Sequence, residues 1–453
     1  MFMLPGGDRP IRRHICHVSF GPMIDSRLFR LPALLLSAAL LAACASAPPA
    51  PSSPAAQVEP YTLLLVSLDG VHPDDLTRGD TPNLERLAAQ GVQAEGMVPS
   101  YPTLTFPNHY TLVTGLRPDR HGIVHNSMSD PGLGRFTLRD RDAVGDGRWW
   151  SDGEPLWVTA ENAGIPTATL FWPGSEAPVR GVQPTRWTQF DSNLPKGERV
   201  DRILSWLSEP DGTRPRLATL YFEHPDGAAH AHGPGSPELR AAMRAVDAQI
   251  GRLVQGIDDA GLSGSVDLVI VSDHGMAAVP EDQVVAFEEM VDPALVEPVS
   301  FGQSVGFNPA PGREAEAEAA LLGKHEQYAC WRKQELPARW QYGSHARVPA
   351  IVCQMEEGWD ALPAQYIERR PPGTRGSHGY DPALPSMRAI FIARGPSFAE
   401  GVRLPAFDNV DVYPLLARLL GVEPADHDGD ASTLLPALVN PATHPASVSG
   451  NDR

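Results

Sequence analysis

The chain has 453 residues, of which 42% are hydrophobic and 20% are charged. This composition excludes intrinsic disorder and a polytopic membrane protein as default classes. The length suffices for one large α/β domain with an insertion, or for two or three smaller domains. The formal net charge of −18 argues against a nucleic-acid polymer as ligand, because an acidic surface repels a phosphate backbone. A small anionic ligand held by local cations remains compatible with this charge.

Residues 1–44 are interpreted as a targeting segment. Two arginines precede an apolar run of about a dozen residues, which is shorter than the roughly 20 residues of a membrane-spanning helix. The run ends in LAAC at 41–44, which resembles the lipobox of bacterial lipoproteins and predicts a periplasmic protein anchored through acylated Cys44. Cleavage after 45–47 and release is the alternative. The polar residues 1–22 precede a normal signal, so Met23 is a candidate start.

Residues 45–60 are rich in Pro, Ala and Ser, which predicts an extended tether. Two cysteines, Cys330 and Cys353, follow the tether. Export to an oxidising compartment is compatible with a disulfide between them, and two free thiols are the alternative. Neither cysteine lies in a CxxC arrangement, so we interpret both as structural.

From residue 61 onwards, predicted strands alternate with helices. The run YTLLLVSLDG at 61–70 is continuously apolar and ends in Gly, which is typical of a strand covered on both faces of a parallel sheet. A helix is predicted at about 81–90, with Pro82 in its first turn. Further strands are predicted in TATLFW, LATLYFEH, VDLVIVSDHG and MRAIFIARG, and a long helix in ELRAAMRAVDAQIGRLVQGIDDAG. This alternation predicts an α/β domain over 61–440, with a mostly parallel central sheet and helices on both faces.

The alternation is interrupted between about 279 and 376, where we expect a small α+β insertion. Within it, EAEAEAALLGKHEQYACWRKQ at 314–334 is predicted to be helical, and WQYGSHARVPAIVCQMEEG at 340–358 to form short strands. The polar residues 441–453 are predicted to be a frayed tail.

Acidic residues and histidines follow or precede four of the predicted strands. Asp69 ends the first run, Asp226 follows LATLYFEHP, Asp273 and His274 end VDLVIVSDHG, and His378 precedes MRAIFIARG. Because ligands of open parallel sheets bind outside the carboxyl ends of the strands, we expect several of these side chains to converge.

Two pairs have the spacing of metal ligands. Asp226 and His230 are four residues apart and can share one face of a helical turn, although both residue types are common in Gly-rich loops. Asp273 and His274 are adjacent at a strand end. A buried carboxylate beside an imidazole is unfavourable unless the two share a cation, and a structural ion pair between them is the alternative. With the other strand-end residues they supply three Asp and three His, enough for two sites of three ligands. Such oxygen and nitrogen ligands favour zinc or another divalent ion, and two ions about 4 Å apart suit in-line displacement at phosphorus.

The order of the motifs resembles that of the nucleotide pyrophosphatase/phosphodiesterases, or type I phosphodiesterases, of the alkaline phosphatase superfamily. The resemblance rests on LDG at 68–70, TFPNHYTLVTGLRPDRHGIVHNSM at 105–128, FWPGSE at 171–176, the Asp226–His230 spacing, SDHGM at 272–276 and GSHGYDP at 376–382. It implies an alkaline phosphatase-like fold. It also implies a two-zinc enzyme that hydrolyses small nucleotide diesters or pyrophosphates to nucleoside 5′-monophosphates.

The resemblance also implies residue roles. Thr105 would be the nucleophile and would carry a covalent phosphothreonine intermediate, although a threonine at this place is also a common helix N-cap. Its hydroxyl is too weak an acid to ionise at neutral pH without a metal ion. A helix start near Pro107 is expected to add amide donors for the phosphoryl group. The implied ligands form two sets, Asp226 with His230 and His378, and Asp69 with Asp273 and His274.

Three further residues are implied to bind substrate. Asn126 would hold a nonbridging phosphoryl oxygen, and a neutral amide there favours diesters over the more highly charged monoesters; a turn asparagine is the alternative. Phe106 and Phe190 would form aromatic walls for a nucleobase, with core packing as the alternative for each. The family often has tyrosine at the position of Phe190.

Other functions are left open by the sequence. Phosphomonoesterases, phosphonate hydrolases and phospholipid-headgroup diesterases share the superfamily. A sulfatase is disfavoured because Thr105 cannot become a formylglycine. A metal-binding lipoprotein with an eroded site is disfavoured because all six ligands and the hydroxyl are present. The physiological substrate and the oligomeric state are not determined.

Overall fold

An eight-stranded sheet forms the centre of the computed structural model, which describes residues 61–440. The predicted targeting segment, Cys44, the tether and the tail at 441–453 lie outside the described residues. In chain order the strands of the sheet are β1 (Thr62–Leu68), β2 (Val92–Ala94), β3 (Thr167–Leu170), β4 (Arg186–Thr188), β5 (Leu217–Phe222), β6 (Val266–Val271), β7 (Phe391–Arg394) and β8 (Val402–Leu404).

The strands lie in the order β8-β2-β7-β6-β1-β5-β3-β4. Neighbouring strands are parallel except at β7, which is antiparallel to both β6 and β2. The predicted mostly parallel sheet is therefore confirmed. The strand in MRAIFIARG is its antiparallel member.

Strand β1 lies inside the sheet, between β5 and β6. All seven of its residues are buried, which explains its continuously apolar sequence. Leu63 and Leu65 pack into the core on one face of the sheet, whereas Leu64, Val66 and Leu68 pack into the core on the other face. Alternate residues of one strand thus join two separate hydrophobic layers.

Helices cover both faces of the sheet. Residues of the helices Thr105–Thr114, Leu156–Asn162 and Val412–Leu420 pack into the first core, and those of Pro82–Gln90, Lys196–Leu207 and Pro237–Asp259 into the second. Among residues 61–440, no helix is long and apolar enough to cross a membrane. The remaining helices are Pro118–His121, Arg141–Gly145, His224–His232, Phe287–Met290, Glu314–Leu321 and Ala364–Ile367.

Between β6 and β7 the chain forms a separate five-stranded antiparallel sheet with its own hydrophobic core. The strands Ala277–Val279 and Arg375–Ser377 pair at the base of this segment. Within it, Cys330 and Cys353 are cross-strand neighbours and form a disulfide. In spatial order the five strands are Val296–Ser300, Ser304–Pro309, Ile351–Met355, Tyr328–Arg332 and Gly323–Lys324.

The helix predicted over 314–334 is wrong in its second half. The helix ends at Leu321, and the rest of the stretch forms the two strands that begin at Gly323 and Tyr328. Gly323 has a φ of 107°, which is accessible to glycine and incompatible with a continuing helix. The remaining strands pair two by two: Met97–Val98 with Phe407–Asp408, Ser127–Asp130 with Gly134–Thr137, and Val284–Ala286 with Asp360–Leu362.

Candidate metal and active site

The register of the central strands brings their carboxyl ends to one edge of the sheet. Ser67 of β1 pairs with Tyr221 of β5 and with Val271 of β6. Asp69 and Asp273 each follow two residues after these paired positions. Their carboxylates therefore emerge side by side, as expected at the ligand-binding edge of a parallel sheet.

Asp226, His230 and His378 form one tight group. The helix His224–His232 begins directly after β5, so Asp226 lies in its first turn and His230 one turn later on the same face. Asp226 Oδ1 lies 3.3 Å from His230 Nε2 and 3.5 Å from His378 Nε2. The two imidazole Nε2 atoms are 3.0 Å apart. This group contains the first ligand set that the resemblance implies.

The second implied set is equally compact. His274 Nε2 lies 3.0 Å from Asp273 Oδ2 and 3.5 Å from Asp69 Oδ1. The His274 ring also stacks on His378, with ring centroids 3.5 Å apart. The two sets are therefore parts of one cluster. Thr105 lies at its border, with Oγ1 3.4 Å from His274 Nε2.

The hydrogen bonds of the three histidines define which nitrogen of each ring faces the cluster. Each Nδ1 donates to a backbone carbonyl: His230 to Gly376 at 2.9 Å, His274 to Gly275 at 2.9 Å, and His378 to Thr103 at 2.9 Å. Because a carbonyl only accepts, the single proton of each neutral ring belongs on Nδ1, which leaves Nε2 with the lone pair that a metal ion would bind. Backbone contacts of this kind orient histidines that bind metal ions.

The carboxylates give a second indication that this cluster is suited to bind cations. One oxygen of each aspartate, Asp69 Oδ1, Asp226 Oδ1 and Asp273 Oδ2, is buried without a hydrogen-bond partner. Burial, with the neighbouring charges of Asp273 and Asp226, raises the pKa of Asp69 well above its ordinary value. Burial also opposes ionisation of Asp273, but His274 and His109 outweigh it and hold that pKa well below its usual range. Buried carboxylate oxygens without hydrogen bonds, beside three imidazole Nε2 atoms, fit divalent cations.

Thr105 is the first residue of the helix Thr105–Thr114, and its N-cap is Leu104. The N-cap reading of Thr105 is therefore wrong, since the hydroxyl faces His274 instead of capping the helix. The expected amide donors are also fewer than a free helix start would provide. Pro107 has no N–H, and Phe106 N–H already donates to Asn126 Oδ1 at 2.9 Å.

That hydrogen bond fixes the orientation of Asn126. Its Oδ1 is occupied by the Phe106 amide, so the side-chain NH₂ group is the end available to a ligand. Asn126 directly precedes the strand Ser127–Asp130, which pairs with Gly134–Thr137. The structure thus brings the implied phosphoryl-binding amide beside the residue that follows Thr105.

Phe106 and Phe190 line one pocket of about 270 Å³, together with Thr105 and two aspartates of the implied ligand sets, Asp69 and Asp226. We call it the aromatic pocket. Both phenylalanines are half-buried, so neither is a simple core residue. The wall also contains Arg141 and Glu176, which form an ion pair. The residue after β3, Phe171, lines the pocket with a φ of 71°, an uncommon conformation for a residue with a side chain.

The sequence interpretation missed two polar residues of the cluster. His109 lies on the helix of Thr105, with its Nδ1 3.3 Å from Asp273 Oδ2. Tyr221, the cross-strand neighbour of Ser67, donates its hydroxyl proton to Asp69 Oδ2. The spacing of four residues from Thr105 could have indicated His109, whereas Tyr221 lies within an apolar strand and gave no signal.

Comparison with known proteins agrees with this arrangement. The family model described as type I phosphodiesterase/nucleotide pyrophosphatase matches residues 63–381. An uncharacterized pyrophosphatase/phosphodiesterase of Schizosaccharomyces pombe is 35% identical over 84% of this chain and 81% of its own length. Ectonucleotide pyrophosphatase/phosphodiesterase family member 1 of Mus musculus is 34% identical over 87% of this chain, which spans 44% of that longer protein.

A solved structure gives the same result at the level of the fold. It is murine ectonucleotide pyrophosphatase/phosphodiesterase 5, an inactive threonine-to-alanine variant in complex with AMP. It superposes with a TM-score of 0.79 at 32% identity and covers 83% of this chain and 100% of its own. The chain therefore belongs to the type I phosphodiesterase/nucleotide pyrophosphatase family, within the alkaline phosphatase superfamily.

Proposed function

We propose that this chain is a two-zinc phosphodiesterase that hydrolyses nucleotide diesters or pyrophosphates to nucleoside 5′-monophosphates. The observation that carries the proposal is the position of the Thr105 hydroxyl beside three imidazole Nε2 atoms and three buried carboxylate oxygens that have no hydrogen-bond partner. We assign one zinc to Asp226, His230 and His378, and the other to Asp69, Asp273 and His274. Nitrogen and oxygen ligands without thiolates suit zinc, with other divalent ions as competitors in a metal-loading experiment.

In the proposed reaction, Thr105 Oγ attacks phosphorus in line, and the bond to the leaving oxygen breaks. The product is a phosphothreonine diester, which water then hydrolyses to regenerate Thr105 and release the monophosphate. Bound zinc would lower the pKa of the attacking group and offset charge on the phosphoryl oxygens. The NH₂ group of Asn126 would donate to a nonbridging oxygen. A neutral donor at this place favours the singly charged phosphoryl group of a diester.

The aromatic pocket supports a nucleoside as the retained part of the substrate. Phe106 and Phe190 lie in the pocket that also holds Thr105, so a base between the rings would be connected to a phosphate at the cluster. The murine relative in complex with AMP has the same fold, and ectonucleotide pyrophosphatase/phosphodiesterase family member 1 of Mus musculus carries a nucleotide pyrophosphatase name. A small nucleotide is thus the expected substrate.

We test this function with nitrophenyl thymidine monophosphate and nitrophenyl phosphate on zinc-loaded protein. The diester should be the better substrate, and Thr105→Ala should lower its turnover on the order of 10³-fold or more. Thr213→Ala, in an exposed loop, is the matched control. Faster monoester hydrolysis would favour a phosphomonoesterase. If the zinc-loaded protein hydrolyses neither substrate, and Thr105→Ala changes nothing, a binding lipoprotein would be favoured.

We also propose that the protein is exported and anchored in the periplasm through Cys44. This rests on the LAAC sequence at 41–44, which lies outside the described residues. Cys44→Ser should move the protein from the membrane fraction to the soluble fraction of cells that express the full chain. Unchanged membrane association would contradict acylation at Cys44.

A further inference from the structure

A second cavity of about 420 Å³ opens beside the metal-ligand cluster and shares no lining residue with the aromatic pocket. Its wall includes His230 and the insertion residues Arg369, Arg370 and Arg375. We call it the arginine cleft. Asp226 lines the aromatic pocket and His230 lines the arginine cleft, and their nearest side-chain atoms are 3.3 Å apart. The cluster therefore lies between the two cavities.

Arg370 is the residue that makes this cleft unusual. Its side chain is 8% exposed, yet neither Nη1 nor Nη2 has a hydrogen-bond partner. The carboxylate of Asp360 lies 3.6 Å from Nη2, outside hydrogen-bonding distance. The other oxygen of Asp360 accepts from Gln303. A buried guanidinium with unused donors is unfavourable unless a ligand satisfies them.

The surrounding charge matches an anionic ligand. Arg369 and Arg375 add two cationic side chains to the same wall, in which Asp360 is the one acidic lining residue. Glu281 also interacts electrostatically with Arg370. Guanidinium groups bind phosphate oxygens through paired donors, so such a wall recognises phosphate more specifically than an isolated lysine would. The acidic net charge of the whole chain makes this local concentration of arginines more distinctive.

We propose that the arginine cleft binds the phosphate-bearing leaving group of the substrate, as in the pyrophosphate portion of a nucleoside triphosphate. This inference rests on the proposed function. In an in-line displacement, nucleophile and leaving group lie on opposite sides of phosphorus. Thr105 lines the aromatic pocket, so a leaving group opposite it points away from that pocket and towards the side of His230.

The bond changes are those of the proposed reaction. Thr105 loses its hydroxyl proton to solvent, and its oxygen forms the new bond to the α-phosphorus. The bond from that phosphorus to the bridging oxygen breaks, and the bridging oxygen keeps the electron pair. The leaving pyrophosphate thereby gains negative charge as the bond breaks. Arg370, whose buried Nη1 and Nη2 have no hydrogen-bond partner in the protein, is the arginine of the cleft that we assign to this charge.

The test compares two substrates that share a nucleoside monophosphate portion and differ in the leaving group. One is nitrophenyl thymidine monophosphate, and the other is thymidine triphosphate. Arg370→Gln should lower the ratio of kcat/KM for the triphosphate to that for the nitrophenyl ester about tenfold, the effect of one lost charged hydrogen bond. Arg313→Gln, which removes an insertion arginine paired with Glu316, should leave the ratio unchanged.

Inorganic pyrophosphate provides a binding readout that does not need turnover of the triphosphate. As an inhibitor of ester hydrolysis, it should bind about tenfold more weakly to Arg370→Gln than to the unsubstituted protein. If Arg370→Gln does not fold, Arg375→Gln is measured in the same two assays. A thymidine dinucleotide, whose leaving group carries no terminal phosphate, should show a smaller change in ratio than the triphosphate.

The outcomes separate this inference from the proposed function. An equal loss on both substrates, or unchanged pyrophosphate inhibition, would overturn the role of the arginine cleft. A protein that hydrolyses neither the ester nor the triphosphate would overturn the proposed function itself. A selective loss on the triphosphate, with weaker pyrophosphate inhibition, supports the arginine cleft as the site of the leaving phosphates.

Discussion

His109 differs from the three histidines of the proposed metal ligands in the atom that it presents. Its Nδ1 donates to the carbonyl of Thr105 at 2.8 Å and lies near Asp273, whereas its Nε2 contacts the Ser67 hydroxyl at 2.8 Å. It is close enough to Asp69 and Asp273 to be considered a ligand. Both ring nitrogens already have protein partners, however. We therefore interpret His109 as a positioning residue that orients Asp273 and the first turn of the helix of Thr105.

Replacing His109 should weaken metal binding without removing a ligand. We expect His109→Ala to lower metal affinity about 10- to 100-fold, the range found for residues that orient metal ligands. The reason is that Asp273 loses its contact with the imidazole. His109→Asn keeps a donor near the Nδ1 position and should recover part of this affinity. Competition with a chromophoric chelator measures the affinity directly.

A further variant and steady-state kinetics separate a positioning role of His109 from a general effect on folding. Ser67→Ala removes only the hydroxyl that contacts Nε2 and is expected to have the smaller effect. Kinetics should show a lower kcat with little change in KM, because neither pocket wall is altered. Equal metal affinity in His109→Ala and the unsubstituted protein would contradict the assignment.

At the scale of single elements, the strands were the most predictable part of the structure. The buried runs ending in Asp69 and Asp273 became β1 and β6, and their parallel register brought the two carboxylates together. This was predictable because a continuous apolar run, followed by polar residues, has few other solutions in an α/β fold. The helix of Asp226 and His230 also followed from a spacing of four residues.

Elements of the insertion were less predictable. The sequence over 314–334 begins with strong helix formers. No local pattern indicates that the helix ends before Gly323 and that strands follow. Tyr328–Arg332 is a strand because it pairs with Ile351–Met355, a contact between distant parts of the chain. The arginine cleft depends on such tertiary contacts as well, since its residues lie on a loop and at a strand end. Propensity alone does not determine these elements.

At the scale of the whole molecule, the cluster joins segments that are far apart in the chain. Its carboxylates and imidazoles come from the ends of β1, β5 and β6 and from the return of the chain before β7. Folding therefore concentrates three aspartates at one edge of the sheet. Without a cation this arrangement opposes folding, because buried like charges repel one another. If these residues bind the proposed metal ions, they would connect the base of the insertion, at His378, to the central sheet.

Metal removal should accordingly lower the stability of the entire domain. A ligand at 1,000 times its dissociation constant stabilises the folded state by about 4 kcal/mol, so a chelator should lower the melting temperature by several degrees. Differential scanning calorimetry with and without EDTA, followed by zinc re-addition, measures this shift. If EDTA removes the metal and the melting temperature stays the same, metal binding does not stabilise the domain and this prediction is contradicted.

Asp69→Asn tests whether a metal ion compensates the buried aspartates, because the expected change in melting temperature has opposite signs with and without metal. The raised pKa of Asp69 means that its ionised form is unfavourable in the folded, metal-free protein. Its contribution to stability is present at low pH and is lost as the pH rises through that raised pKa. At neutral pH, a neutral asparagine should therefore raise the melting temperature of the metal-free form. Asp69→Asn should lower the melting temperature of the zinc-loaded form, since the charge of one ligand is lost. Asp142→Asn, a substitution of an exposed aspartate, should change the melting temperature of neither form. Destabilisation of both forms by Asp69→Asn would show that Asp69 stabilises the fold through contacts other than a metal ion.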